Sequence, residues 1–180
     1  MPAQRRNFLM RISCAVALVL TALIVMEPAG AKADALDAVF PAPDWRREKS
    51  QSGLALDCVR ESCGPPAHVA FNLGPANPAM ADRIKSGMIN REWAEKLAAS
   101  FGKSQGDKVT LLSFTVQTGQ NPGWSMVYEC NCDGTMNYVS SRVIGSEKGT
   151  ITFYSLARTA ELAVENMSKM ADVILGASGR

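Results

Sequence analysis

From Leu156 onward the apolar residues fall at alternating steps of four and three: Leu156, Ala160, Ala163, Met167, Met170 and Ile174, with Val164 and Ala171 widening the stripe. This is the spacing of one face of an α-helix, with Ser155 placed to cap its start and Gly176 to end it. Such a helix gains its stability by laying the stripe on another element, so the rest of the chain has to supply an apolar surface. Methionines at this spacing read as packing against a sheet, not as a metal or cofactor box.

The partner surface is written as alternation. Leu54, Leu56 and Cys58 share one face of a strand, and Val69, Phe71 and Leu73 share one face of the next. Lys108–Gln117 is rich in β-branched and aromatic residues, and Thr150–Tyr154 supplies a further strand before the closing helix. Two helices separate the strand groups. Asn77-Pro78 offers a cap with proline at the first helical position and Gly87 a stop; Asn90 then caps a second helix ending at Gly102. In that helix Trp93, Leu97 and Phe101, with Ala94 and Ala98 beside them, make a core-facing stripe. Gly119–Gly123 is a loop, and Trp124 after it either is displayed or anchors the next strand. The order predicts an α+β fold, an antiparallel sheet covered by helices with a long C-terminal helix.

One hairpin can be argued to its register. Asn131-Cys132-Asp133-Gly134 fits a type I turn with a left-handed glycine and a bulge. That register sets Cys130 opposite Met136 and Tyr128 opposite Tyr138, with one face apolar throughout, Cys130 buried and Cys132 accessible in the turn. A two-residue Asp133-Gly134 turn would set Asn137 opposite Cys130 and mix polar with apolar, so it is the disfavoured alternative.

The first thirty-three residues read as a cleaved signal peptide. Arg5, Arg6 and Arg11 precede an apolar run from Ile12 to Met26, and Ala29-Gly30-Ala31-Lys32-Ala33 offers small-x-small cleavage sites after Ala31 or Ala33. The run is shorter than the roughly 20 residues of a spanning helix, so no membrane span is expected after cleavage. Arg5-Arg6-Asn7-Phe8-Leu9 resembles a twin-arginine signal, which carries folded proteins; general secretion is the other route. Residues 34–53, with Pro41, Pro43 and the polar run Arg46–Ser52, are expected as an N-terminal arm docked by Phe40 and Trp45. Residues 54–180 are expected as a single α+β domain.

Removing the leader changes the charge argument. The whole chain has 19 basic and 17 acidic residues; Arg5, Arg6, Arg11, Lys32 and Glu27 leave with the leader, so the remainder carries 15 against 16 and a formal charge of −1. A near-neutral domain has no footprint for phosphate backbones, which excludes nucleic acid as the expected partner.

Cys14 goes with the leader, leaving Cys58, Cys63, Cys130 and Cys132 as disulfide candidates in an oxidising compartment, with three pairings open. A Cys58–Cys63 bridge would close a small loop across the first hairpin. The alternative is a four-thiolate metal site on the same residues, or soft copper held by Cys132 with Met126, Met136 and His68, or a redox-active Cys130–Cys132 pair. Neither spacing matches the paired two-residue zinc pattern, and Glu129–Gly134 holds no cation to lower a thiol pKa. His68 is the only histidine, and no Gly-x-Ser-x-Gly elbow accompanies it. Glu92 and Glu95 beside Arg91 and Lys96 read as a solvated, ion-paired helix face. The chain holds no P-loop and no Gly-x-Gly-x-x-Gly, so nucleotide chemistry is not supported.

The order of elements, with Phe40-Pro41-Ala42-Pro43-Asp44-Trp45 at its opening and Pro75-Ala76-Asn77 after the second strand, resembles the PsbP-like α/β/α sandwich. That resemblance implies an assembly or binding role, since members are mostly non-catalytic accessory proteins, and it transfers no functional residue. Together these readings lead to an exported, non-catalytic protein in the periplasm or secreted, acting as a binding or accessory module for a partner protein or small ligand. No cofactor is expected. A periplasmic copper-handling or thiol-redox protein using Cys130 and Cys132 is the alternative.

Overall fold

The computed structural model describes residues 29–64, 66–103, 108–132, 134–146 and 148–176. The apolar run, the twin arginines and Cys14 lie outside the described residues. Among the described residues the chain forms α1 (Ala29–Val39), β1 (Trp45–Lys49), β2 (Gly53–Cys58), a 3-10 turn (Glu61–Cys63), β3 (His68–Gly74), α2 (Met80–Lys85) and α3 (Arg91–Lys103). A meander of β4 (Lys108–Gln117), β5 (Gly123–Cys132), β6 (Thr135–Ser146) and β7 (Gly149–Ala157) follows, and α4 (Ala160–Leu175) closes it. The seven strands make one antiparallel sheet in the order β1-β2-β3-β7-β6-β5-β4.

Helices lie on both faces, which β6 makes visible in two adjacent residues. Val143 packs with Met80, Ile84 and Ile89 from the α2–α3 side, whereas Ile144 belongs to the cluster of Leu36, Phe40, Leu56, Val69, Phe153, Met167 and Met170 under α1 and α4. Successive side chains of a strand point to opposite faces, so a strand covered twice is buried nearly throughout. Leu56, Val69, Phe153 and Met170 are fully enclosed. Each such side chain contributes about 1.5–3 kcal/mol by leaving water. The two helical layers are offset: α2 and α3 cover the β4–β5–β6 end, and α4 covers β3, β7 and β6 from the other face. This is the α+β arrangement expected from the sequence, with its sheet covered by helices.

Several local expectations are corrected. The closing helix starts at Ala160, with Thr159 as its cap: the Thr159 hydroxyl accepts from Leu162 N at 3.2 Å. Ser155 and Leu156 stay in β7, because Phe153, Ser155 and Ala157 form a fully buried inward row of that strand beneath α4. Gly176 ends the helix at a positive φ, as its position suggested. The helix after Asn77-Pro78 begins at Met80, since the Asn77 carbonyl accepts from Met80 N at 3.0 Å and closes a turn first. Asn90 caps α3 through its side-chain oxygen, 2.9 Å from Trp93 N. In α3 the deeply buried line is Ala94 and Ala98, with Trp93 and Leu97 half-buried at its margin and Phe101 exposed. Small residues at the centre let the helix approach the sheet closely, and the large ones wrap its edges.

The segment 34–53 contributes to the sheet and the core instead of lying beside them as an arm. Trp45–Lys49 pairs with β2 as an edge strand, Phe40 and Trp45 meet edge to face at 5.1 Å, and Arg47 forms an ion pair with Asp37 that ties α1 to β1. Along it Trp45 and Arg47 face α1 while Arg46, Glu48 and Lys49 are exposed, and exposed charges on an edge strand discourage pairing with other chains.

The β5–β6 hairpin adopts the register the alternation argument disfavoured. Cys130 pairs with Asn137, Tyr128 with Val139 and Cys132 with Thr135, so two residues connect the strands, of which Gly134 lies at φ 73°. Two-residue loops with positive φ match the right-handed strand twist. The buried Asn137 satisfies its own amide locally: Nδ2 donates to the Thr135 carbonyl at 3.1 Å, and Arg158 Nη1 reaches its Oδ1 at 3.4 Å. A polar residue with partners at hand does not drive a register slip.

Candidate functional site

One face of α4 does not rest on the sheet. Leu162, Glu165, Asn166 and Lys169, at helical spacing, form a wall of a cleft of about 500 Å³. The opposite wall is the loop that holds Glu61, Ser62, Cys63 and Gly64, and the floor is built from Val39 and Phe40 at the end of α1 with Asp44 and Trp45 at the start of β1. The volume falls within the range of small-molecule sites, about 300–1,000 Å³.

The far wall is held in place by several means. Cys58 and Cys63 form a disulfide with Cα atoms 5.8 Å apart. Val59 N donates to the Asp44 carbonyl at 2.8 Å, Arg60 Nε donates to the Pro43 carbonyl at 2.9 Å, and Gly64 N closes the turn onto Glu61 O at 3.0 Å. Gly64 has φ 72°, and a Cβ there would lie 3.1 Å from Leu162 Cδ2, so the glycine allows both the turn and its close approach to α4.

Within the cleft the polar groups are unequally satisfied. Lys169 Nζ sits 2.6 Å from Glu165 Oε1, one helical turn away. Asn166 is only 4% exposed, and its side-chain nitrogen has no hydrogen-bond partner. A buried amide left unpaired costs about 1–3 kcal/mol, so such a group calls for a reason. Trp45 is buried on the floor, where its ring meets that of Phe40 edge to face.

A second polar cluster occupies the opposite face of the sheet. Asp57 on β2, His68 on β3 and Tyr154 on β7 are brought together by the register Asp57↔His68 and by the neighbouring β3–β7 pairing. His68 Nδ1 lies 2.7 Å from Asp57 Oδ1, His68 Nε2 lies 3.1 Å from the Tyr154 hydroxyl, and the two rings stack at 5.3 Å. Arg46 Nη2 donates to Asp57 Oδ2 at 3.2 Å. Burial alone would raise the Asp57 pKa, but the hydrogen bonds and charges of His68 and Arg46 outweigh it and hold the carboxyl below its ordinary value. Burial, then the Asp57 charge, pushes the Tyr154 phenol upward. These hydrogen bonds tie β2, β3 and β7 together, so the cluster acts as a clamp across three strands. His68 was legible as the only histidine; its partners were not, because they join it only through strand pairing.

The cysteines do not gather. Cys58 and Cys63 are joined at the cleft, while Cys130 is disulfide-bonded and buried on β5. Four strand steps separate β2 from β5, about 19 Å at the usual spacing. A single four-thiolate site on Cys58, Cys63, Cys130 and Cys132 would need them within bonding reach of one ion; the Cys132 side chain lies outside the described residues. Met126 is buried beneath α3, and Met136 is exposed beyond the hairpin turn, so neither approaches His68 across the sheet. Trp124 anchors β5 by packing on Trp93, ring centres 5.4 Å apart.

No protein-family profile matches the sequence, and no curated protein is similar to it in sequence. Among solved structures, the architecture matches the solution structure of cyanobacterial PsbP (CyanoP) from Synechocystis sp. PCC 6803. The TM-score is 0.51, with 71% of this chain and 78% of that chain covered at 6% sequence identity. The fold is PsbP-like. At that identity the likeness is one of backbone path, so the roles of individual residues in this PsbP-like chain rest on its own chemistry. Among the described residues no helix is long and apolar enough to cross a membrane.

Proposed function

We propose that this chain is an exported, non-catalytic accessory module of the bacterial envelope, in the periplasm or secreted, that holds a partner protein or small ligand in the cleft beside α4. The observation that carries this reading is the Asn166 carboxamide, buried and unpaired on a cleft wall. A binding site accounts for such a group, because the ligand supplies its missing partner. Three further features support it. The Cys58–Cys63 disulfide suits an oxidising compartment, the first thirty-three residues read as a leader, and the PsbP-like fold fits an accessory role. In the polar cluster, the hydroxyl that His68 reaches among the described residues is the Tyr154 phenol, whose pKa burial pushes upward.

The test is a photo-reactive residue at Ser62 on the cleft wall, compared with one at Thr115 on β4, in cells that express the protein. A saturable adduct from position 62 and none from 115 is expected; equal adducts from both, or turnover in a substrate screen, overturns the reading. The mass of the protein recovered from the envelope reads the export half. It should begin at Lys32 or Asp34, and an unprocessed chain removes that half.

A further inference from the structure

Resting on that binding-module reading, we infer that the cleft takes an extended peptide segment bearing a basic side chain, with its backbone amide paired to the Asn166 carboxamide. A carboxamide carries the same donor and acceptor as a peptide unit, and a half-turn about χ2 presents either end to the cleft. A peptide unit therefore meets whichever end faces the cleft, its carbonyl accepting from Nδ2 or its N–H donating to Oδ1, as strand backbones do at a sheet edge. The Trp45 ring belongs to the same cleft floor, so the segment has an aromatic surface to lie on.

Charge selects the side chain. The lining carries Asp44, Glu61 and Glu165 against Lys169 alone. Lys169 is neutralised by Glu165, and Asp44 has Arg60 Nε at 3.9 Å, which leaves Glu61 as the exposed carboxylate without an ion pair among the described residues. A Lys or Arg entering from the peptide finds Glu61 at the rim, and its aliphatic stem can lie on the apolar floor of Val39 and Phe40. The Cys58–Cys63 bridge keeps Glu61 within reach of α4, which lowers the ordering cost of capture.

A positional-scanning library of capped pentapeptides, screened against the purified protein, tests the inference. Enrichment of Lys or Arg at one position is expected. Asn166→Leu should weaken the selected peptide about tenfold while the thermal midpoint stays level or rises, because an unpaired buried amide is replaced by an apolar group of similar size. Glu61→Gln, at an exposed loop position, should remove the basic preference without disturbing the fold. No enrichment, enrichment of acidic residues, or Asn166→Leu binding unchanged with a lowered midpoint each overturns the inference. The two readings separate cleanly: a Ser62 adduct with no peptide selected removes the ligand class alone, whereas failure of both removes the module reading too.

Discussion

Replacing Cys58 and Cys63 together by alanine should cost the protein about 2 kcal/mol and no more. The bridge closes a loop with a sequence separation of 5, and for so short a loop the chain-entropy relation gives about 2 kcal/mol at 25 °C. Nothing larger is expected, because the loop has other supports. Cys58 N donates to the Ala67 carbonyl at 2.8 Å, Val59 N to Asp44 O at 2.8 Å and Gly64 N to Glu61 O at 3.0 Å, and all three survive the substitution. Leu56, beside the bridge, is fully buried and unaffected. Urea unfolding followed by Trp fluorescence measures the loss, with a slightly increased m as the unfolded chain expands. A thermal midpoint lower by about 4–8 °C should accompany it for a domain of this size. The double variant is preferable to a reductant, since Cys130 is disulfide-bonded too and reduction would act on both sites. A variant as stable as the parent, or one that no longer folds, would refute the account. The first outcome would mean that the hydrogen bonds alone define the loop, and the second that the loop organises the core.

Three other outcomes follow from the structure. Because Asp57 is held below its ordinary pKa, it stabilises the fold above the unfolded value near 3.8, and this contribution fades as pH falls through the lower folded value. Asp57→Asn should therefore flatten the acid side of the stability profile between about pH 5 and pH 2, and parallel curves would contradict the clamp. Burial, followed by the charge of Tyr154, raises Tyr128 to about 12. An ultraviolet titration should show late tyrosine ionisation, to which Tyr154 contributes as well, and Tyr128→Phe should remove the part near 12; a single step near 10 for all the tyrosines would contradict this. Thr159→Ala should cost about 1 kcal/mol by loss of the cap on Leu162 N, whereas Ser155→Ala should leave the helix start untouched.

The elements legible in the sequence were those where one physical rule acted alone. The stripe of Ala163, Met167, Met170 and Ala171 reads as helix because nothing competes with its period, and those residues are the buried face of α4. The alternation of Leu54 and Leu56 with Val69 and Phe71 reads as paired strands because both rows face one core. The misread places are those where a second rule intervened. Ser155 has the chemistry of a cap, yet it lies in the inward row of a strand that α4 covers. Trp45–Lys49 has the composition of a linker, yet its one aromatic is buried and its charges are those of an edge strand. In the β5–β6 hairpin, Asn137 looked like a reason to slip the register, but its bonds to Thr135 and Arg158 remove that reason. Alternation specifies register only as strongly as the inward polar residues lack local partners.

The candidate site was legible in its parts and not in its assembly. The sequence marks Phe40 and Trp45 as docking aromatics and Cys63 as a bridge partner, whereas Asn166 lies inside a helix whose pattern reads as packing. The signal was there: in a stripe of Ala163, Met167, Met170 and Ala171, an asparagine at 166 is the one polar residue whose position falls within the buried arc. A polar residue on the buried side of a helix is satisfied by the fold, by water or by a ligand. The three cases separate by what lies opposite. For Asn137 it is the chain's own carbonyl, and the residue is structural. For Asn166 it is a cleft bounded by the disulfide-held loop; Arg47 Nε, Ser141 Oγ and Ser155 Oγ are also buried without a partner among the described residues, and of these four groups Asn166 is the one that lines the cleft.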